Sequence, residues 1–264
     1  MVSASLISLL LATVVSAAPR LTERDLNLTK WTPDRKLQPG EILLFGDNRA
    51  EIIQEEAWNK LVEAKGYLPE APEVDLDWIK AGDALSEIPF NETTDGLEKR
   101  DCAHTFSLTT DTVQRFVDWD VQMSPVVIGF GKGIDITVSK SYSVSNSVTV
   151  SAGIDLGVVK DRLGGSLGVD FSRTWTTQQG YQIRGTIEDG WTGVVISTPW
   201  KNRRYGRTFQ GCIGSLRQTG TWMADSYENG AYEGVTWVAG AITVCAKRQR
   251  SIPLTRCHGS GAFH

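Results

Sequence analysis

The chain has 264 residues, 41% of them hydrophobic and 22% charged. These values fit a globular protein and exclude a disordered or fibrous one. The formal charge of −4 conceals an asymmetry. Residues 19–100 hold 11 Lys/Arg against 18 Asp/Glu, a net of −7, and residues 101–264 hold 16 against 13, a net of +3. A split of this kind marks two segments that attract one another, and +3 is too little for nucleic acid to be a partner.

Residues 6–15, LISLLLATVV, form an apolar run followed by the small residues Ser16, Ala17 and Ala18. This is the pattern of a secretory signal peptide over residues 1–18, and it is too short to span a bilayer. The expected location is extracellular. Residues 19–100 then read as an acidic pro-segment containing a small α+β piece. GEILLFG (40–46) predicts a short strand, and AEIIQEEAWNKLVEAKG (50–66) a helix carrying Ile53, Ala57, Leu61 and Ala64 on one face, with Gly66 closing it. EVDLDWIKAGDALSEI predicts a second short helix, and Gly46-Asp47-Asn48 a turn. Asn27-Leu28-Thr29 and Asn91-Glu92-Thr93 are glycosylation acceptors in an exported chain.

Lys99-Arg100 stands directly before Asp101-Cys102, after the polar stretch NETTDGLE. A dibasic pair in an exposed, extended loop is a site for a furin- or kexin-type processing protease, which would separate the pro-segment from a mature domain over residues 101–264.

From Asp101 onward the periodicity becomes two. VSKSYSVSNSVTVSAG (138–153) places Ser139, Ser141, Ser143, Ser145, Ser147, Thr149 and Ser151 on one face, and Val138, Tyr142, Val144, Val148 and Val150 on the other, interrupted by Lys140 and Asn146. LGVDFSRTWTTQQGYQIRGTI (167–187), WTGVVIST (191–198), TGTWMADSY (219–227) and GVTWVAGAITVC (234–245) read as further strands, while 154–165 reads either as a short helix or as a strand and hairpin turn. With 21 of the 26 Gly in this region, the expected fold is mainly β: an antiparallel sandwich or barrel with a long Ser/Thr-rich hairpin, preceded by the small α+β pro-segment. All four Cys (Cys102, Cys212, Cys245 and Cys257) fall in the mature part and predict two disulfide bonds. Three connectivities are open. Cys102–Cys257 with Cys212–Cys245 is favoured, because it ties both ends and joins core strands.

No catalytic constellation emerges. His104, His258 and His264 flank the strand-rich region and read as exposed terminal histidines, and Cys257-His258 with His264 makes no metal site once the thiol is oxidised. Asp118 and Asp120, in VDWDV, share one strand face and form the one carboxylate pair compatible with glycoside hydrolysis. Gly129–Gly133 lacks the spacing of a phosphate loop. Trp200, Lys201, Arg203, Arg204, Tyr205 and Arg207 make the one basic-aromatic cluster, a possible contact for an acidic partner or anionic lipid. The Ser/Thr-rich pair, 138–151 with 166–177, suits either a half-buried hairpin or the latent hairpin of a β-pore-forming toxin.

The signal peptide, the acidic region with GEILLFGDNRAEIIQEEAW, Lys99-Arg100 and Asp101-Cys102 together resemble the small secreted effector-like proteins of filamentous, plant-associated fungi. SKSYSVSNSVTVSAGIDLG and FSRTWTTQQGY resemble Ser/Thr-rich fungal secreted β-domains and, more distantly, aerolysin-type stems. The resemblance implies export and virulence-related interaction with a host protein, glycan or membrane, with no cofactor and no enzymatic activity. The expected function is a secreted effector or toxin-like binding protein. The alternatives are a β-pore-forming, killer-type toxin and a secreted glycoside hydrolase.

Overall fold

The computed structural model describes residues 26–46, 48–86, 105–178 and 182–264. In chain order its strands are β1 (Thr29–Lys30), β2 (Glu41–Gly46), β3 (Arg49–Gln54), β4 (Thr105–Val117), β5 (Val121–Gln122), β6 (Val127–Ile128), β7 (Ile134–Thr137), β8 (Ser143–Ser145), β9 (Ser147–Val150), β10 (Thr174–Thr176), β11 (Arg184–Ile187), β12 (Thr192–Gly211), β13 (Arg217–Tyr227), β14 (Asn229–Tyr232), β15 (Val235–Val238), β16 (Gly240–Lys247), β17 (Leu254–Thr255) and β18 (Ala262–Phe263). The helices are α1 (Glu55–Ala64), α2 (Leu76–Ser86) and α3 (Leu156–Leu167).

The architecture is mainly β, and it is organised by β12. At about 3.3 Å per residue its twenty residues span roughly 65 Å. The first half of β12 pairs antiparallel with β16, from Thr192↔Lys247 to Pro199↔Gly240. The second half pairs with β13, from Lys201↔Tyr227 to Gln210↔Arg217. β4, β5 and β6 also pair with it. Beyond β16 the sheet continues through β2, β3 and β1, and beyond β13 it ends on β9. The large sheet is open and does not close into a barrel.

The changeover between β16 and β13 falls where the chemistry permits it. Pro199 has no N–H to give to a ladder. Opposite it, Gly240 sits at φ +149°, where a Cβ would come within 2.5 Å of the Thr198 carbonyl oxygen and 2.7 Å of the Pro199 Cα. The single strand anticipated over 234–245 is therefore two strands, broken at Ala239-Gly240.

Residues 26–86 are built into this sheet. β2 pairs with β16 through Gly240↔Phe45, Ala241↔Leu44 and Ile242↔Leu43, and alternation along β2 and β3 feeds two cores. Leu43, Phe45 and Ile52 pack with Val195, Trp237, Val238 and Ile242, and with Ile136, Val144, Trp175 and Ile187 from the small two-stranded sheets β7–β11 and β8–β10. On another face, Ile42 and Ile53 pack with Trp58 and Val62 of α1 and with Val117 and Trp200. The helix expected over 50–66 thus begins only at Glu55, since residues 49–54 are needed as a strand. Asn48, at φ +57°, turns β2 into β3.

The long Ser/Thr-rich hairpin is not formed. β8 pairs with β10 over three residues only, whereas β9 pairs with β13. The residue between them is Asn146, 7% exposed. Its main-chain N–H donates to the Arg173 carbonyl, its Nδ2 donates to the Asp170 carbonyl, and its Oδ1 accepts from Tyr227 N. A buried side chain satisfied on both sides fixes the point where the segment changes partner. The connection between the arms is helix α3. Asp155 caps it by accepting from Gly157 N and Val158 N, Gly168 ends it at φ +65°, and Val159 and Leu163 pack on Trp222.

The favoured disulfide pairing is also corrected. Cys245 on β16 bonds to Cys257, twelve residues away, with a Cα–Cα distance of 5.8 Å. Cys212 is disulfide-bonded too, and Cys102 lies outside the described residues. The Cys245–Cys257 bond clasps the C-terminal turn, with β17 and β18, over Val194 and Ile196 of β12. By loop-closure entropy it contributes on the order of 3 kcal/mol.

One close approach in the sheet is directly testable. A Cβ on Gly206 of β12 would lie 2.0 Å from the Thr109 carbonyl oxygen and 2.4 Å from the Trp222 ring. Gly206→Ala is expected to cost about 1–3 kcal/mol through forced displacement of β4 and Trp222, read as a lowered urea midpoint at unchanged slope.

Candidate functional site

The basic-aromatic stretch Trp200–Arg207 lies in the second half of β12, mid-sheet rather than in a loop. Trp200, 4% exposed, packs against Trp58 and Tyr67, each ring centroid 4.5 Å away, and the Lys65 ammonium stands 5.9 Å from its centroid. Arg203, 5% exposed, makes a two-pronged pair with Asp225: Nε to Oδ1 at 2.8 Å and Nη2 to Oδ2 at 2.9 Å. Its remaining nitrogen, Nη1, donates to the Pro72 carbonyl at 3.0 Å. Lys201 Nζ bridges Asp118 Oδ2 at 3.1 Å and Asp225 Oδ2 at 3.2 Å. The Tyr227 hydroxyl donates to Asp118 Oδ2 at 2.7 Å. Arg204 donates to Ser226 Oγ, and Arg207 pairs with Asp111 through two bonds of 2.9 and 3.0 Å. Tyr205 takes the Asp75 N–H on its hydroxyl and meets the Trp78 ring edge-on.

The electrostatics follow from this wiring. Burial opposes the charge on Arg203, but the paired Asp225 outweighs it and its pKa is raised. Arg204 is lowered, by burial and then by the neighbouring Arg115. Burial, then the charge and hydrogen bond of Asp118, pushes the Tyr227 phenol far up, so it remains a donor.

Residues 58–82 cover this stretch from above. Trp58 and Tyr67 cover Trp200, Pro72 caps Arg203, and Asp75 and Trp78 hold Tyr205. The Trp78 indole donates to the Gly206 carbonyl, and Thr221 Oγ1 donates to the Trp78 carbonyl at 3.0 Å. Asp75 also accepts from Trp78 N and so caps α2. Gly82 is buried where a Cβ would lie 2.2 Å from Thr221 Oγ1, and Asp83 accepts from Ala152 N at 2.6 Å. Asp118 stood out in the sequence only as half of a carboxylate pair with Asp120, and neither Asp111, Asp225 nor these covering contacts stood out. The one available signal was an acidic, Trp-containing segment matched with a basic, Trp-containing one.

Asp118 and Asp120 do not share a strand face. Both lie between β4 and β5. Asp118 is engaged by Lys201 and Tyr227. Asp120, 2% exposed, accepts from the main-chain N–H groups of Cys257 and His258 at 2.7 and 2.8 Å through Oδ2. His258 Nε2 lies 3.4 Å from the Val117 carbonyl, and His264 is exposed at the end of the chain. Gly129–Gly133 forms the turn between β6 and β7. Asn27 is exposed at φ +47° just before β1. Lys99, Arg100, Asn91, Cys102 and His104 lie outside the described residues. Among the described residues no group of three or more His, Cys, Asp or Glu is placed to hold a metal ion, and no helix is long and apolar enough to cross a membrane.

Comparison with protein-family models, with curated proteins and with solved structures finds no match to this chain.

The ion network sets a clear expectation for stability. Asp225→Ala strands the buried Arg203 and should cost about 3–5 kcal/mol, whereas Arg203→Met with Asp225→Leu should cost distinctly less. Urea unfolding of the two variants measures the difference.

Proposed function

We propose that this chain is an exported effector or toxin-like binding protein, held closed by its own acidic N-terminal segment until cleavage after Arg100. The observation that supports the reading is the seating of residues 58–82 on Trp200, Arg203, Tyr205 and Thr221. Of the basic-aromatic stretch suited to a host or competitor surface, this segment covers Trp200, Arg203 and Tyr205.

The mechanics follow from how the covering segment is held. Strands β2 and β3 are locked by the ladder to β16 and by two hydrophobic cores. Helix α2 is attached more lightly, with Gly82 its one fully buried described position and its remaining described residues half-buried or exposed. Residues 87–100 connect α2 to the second half. While that connection is intact, α2 is held at both ends and pays little entropy to stay seated. Cutting after Arg100 frees its C-terminal end. Helix α2 can then leave Tyr205, Gly206 and Thr221 without disturbing β2 or β3.

Pore formation is the second reading, and one contact favours it. Asp83 of α2 accepts from Ala152 N, at the C-terminal end of the Ser/Thr-rich strands β8 and β9. Those strands are paired over three and four residues, so departure of α2 would also unpin the most weakly laddered part of the sheet.

Intact mass and N-terminal sequencing of the exported protein are expected to give Asp101 as a new N-terminus, and the Lys99→Ala, Arg100→Ala variant is expected to be exported uncut. In sedimentation with intact plant and yeast cells, the cut protein should be retained and the uncut variant should stay in solution. Equal retention of both removes autoinhibition from the reading. Dye release from anionic and sterol-containing liposomes by the cut protein alone would select the pore.

A further inference from the structure

A second site lies away from the covered stretch. A cleft of about 260 Å³ opens between α1, the loop after it and the C-terminal turn, with Glu55, Trp58, Asn59, Glu70, Asp120 and His258 on its walls. Glu55, Asn59 and Glu70 are exposed at its rim, and Trp58 and Asp120 are buried in it. Among the described residues, three carboxylates line the cleft and no Lys or Arg does.

The floor carries an unmet acceptor. Asp120 Oδ2 is satisfied by two main-chain N–H groups, but the buried Asp120 Oδ1 has no hydrogen-bond partner among the described residues. Such an oxygen carries a desolvation cost that native structures rarely leave uncompensated. The two nearest cationic groups do not relieve it. Arg256 Nη1 donates to the Asp120 main-chain carbonyl instead of the carboxylate, and the His258 ring directs Nε2 at the Val117 carbonyl. Burial accordingly raises the Asp120 pKa, against the pull of the His258 and Cys257 N–H groups and of the charges on His258 and Arg256.

We propose that this cleft is a binding site for a cationic nitrogen group, a guanidinium or ammonium, donated to Asp120 Oδ1 and bracketed by Glu55 and Glu70. The argument is one of complementarity. A cleft lined by three carboxylates, with an aromatic ring in its wall, rejects anions and matches a flat cation that donates N–H and stacks on Trp58. The volume admits a group the size of an arginine or lysine side chain, whether on a free amine or on a peptide. Because Glu55, Trp58, Asn59 and Glu70 precede Arg100 while Asp120 and His258 follow it, the ligand would bridge the two halves and hold residues 55–70 in place even after cleavage.

The test uses the full chain, with agmatine, the tripeptide Gly-Arg-Gly and glucose as probes, followed by tryptophan fluorescence and by thermal unfolding. Agmatine is expected to give a saturable fluorescence change and a raised unfolding temperature. Asp120→Asn, which preserves the shape of the side chain, should weaken agmatine binding at least about tenfold. Glu55→Gln and Glu70→Gln, both at exposed positions that leave the fold intact, should each weaken it about two- to fivefold. Gly-Arg-Gly binding as well as agmatine assigns the cation to a peptide, and agmatine binding alone assigns it to a free amine. The proposal is overturned if no probe saturates, if glucose binds in place of agmatine, or if both Glu variants bind agmatine as tightly as the parent.

Discussion

A twenty-residue strand that carries the buried Arg203 and the largely buried Lys201 through the middle of a sheet can exist only if those two cations are matched. This is the constraint on which the rest of the molecule depends. Asp225 on β13 and Asp118 beyond β4 provide the match, and Asp111 within β4 pairs with the exposed Arg207. Both neighbouring strands therefore carry register information in their charges as well as in their ladders. A shift of β13 by one residue would place Asp225 on the opposite face from Arg203. It would leave a buried guanidinium opposite Ala224 or Ser226 with no carboxylate to pair with, at a cost of about 3–5 kcal/mol. The pairs thus contribute specificity more than net stabilisation.

The same constraint explains what could be read from the sequence and what could not. Residues 41–46 were legible because their apolar spacing is local and their partners lie on their apolar faces, and 76–86 because their helical spacing is local. Residues 200–211 were not: KNRRYGR resembles a solvated loop until Asp118 and Asp225 are known to stand beside it, and both are distant along the chain. Residues 138–153 failed for another reason. Alternation reports which side chains share a face, but not which strand lies alongside. Asn146 was visible only as an interruption, and its role as the point of partner exchange depends on Asp170 and Tyr227. The disulfide pairing was illegible in principle, since four cysteines admit three connectivities and only the fold brings Cys257 beneath Cys245.

Charge asymmetry between the two halves takes on structural meaning here. The acidic half does not simply lie against the basic half as a counter-ion. Its strands extend the same sheet and supply both hydrophobic cores, while the residues that meet the basic strand do so through rings and main-chain carbonyls: Trp58, Tyr67, Pro72 and Trp78. Many of its carboxylates are left for other uses. Two of them, Glu55 and Glu70, line the cleft over Asp120.

That arrangement divides the N-terminal segment into parts of unequal permanence. Strands β2 and β3 belong to the sheet and would survive a break in the chain at residue 100. Helix α1 is fixed through Trp58 and Val62 to a core that contains Trp200. Helix α2 stands on Gly82, a tryptophan edge and a few hydrogen bonds, immediately before residues 87–100. Local stability in a protein tracks buried apolar contact, so among the described elements it falls from β2 and β3 through α1 to α2. A processing cut after Arg100 would release the C-terminal side of α2, the more lightly held helix, and would leave in place the part that completes the core. Proteolysis would then alter what the surface presents while the sheet itself stays intact.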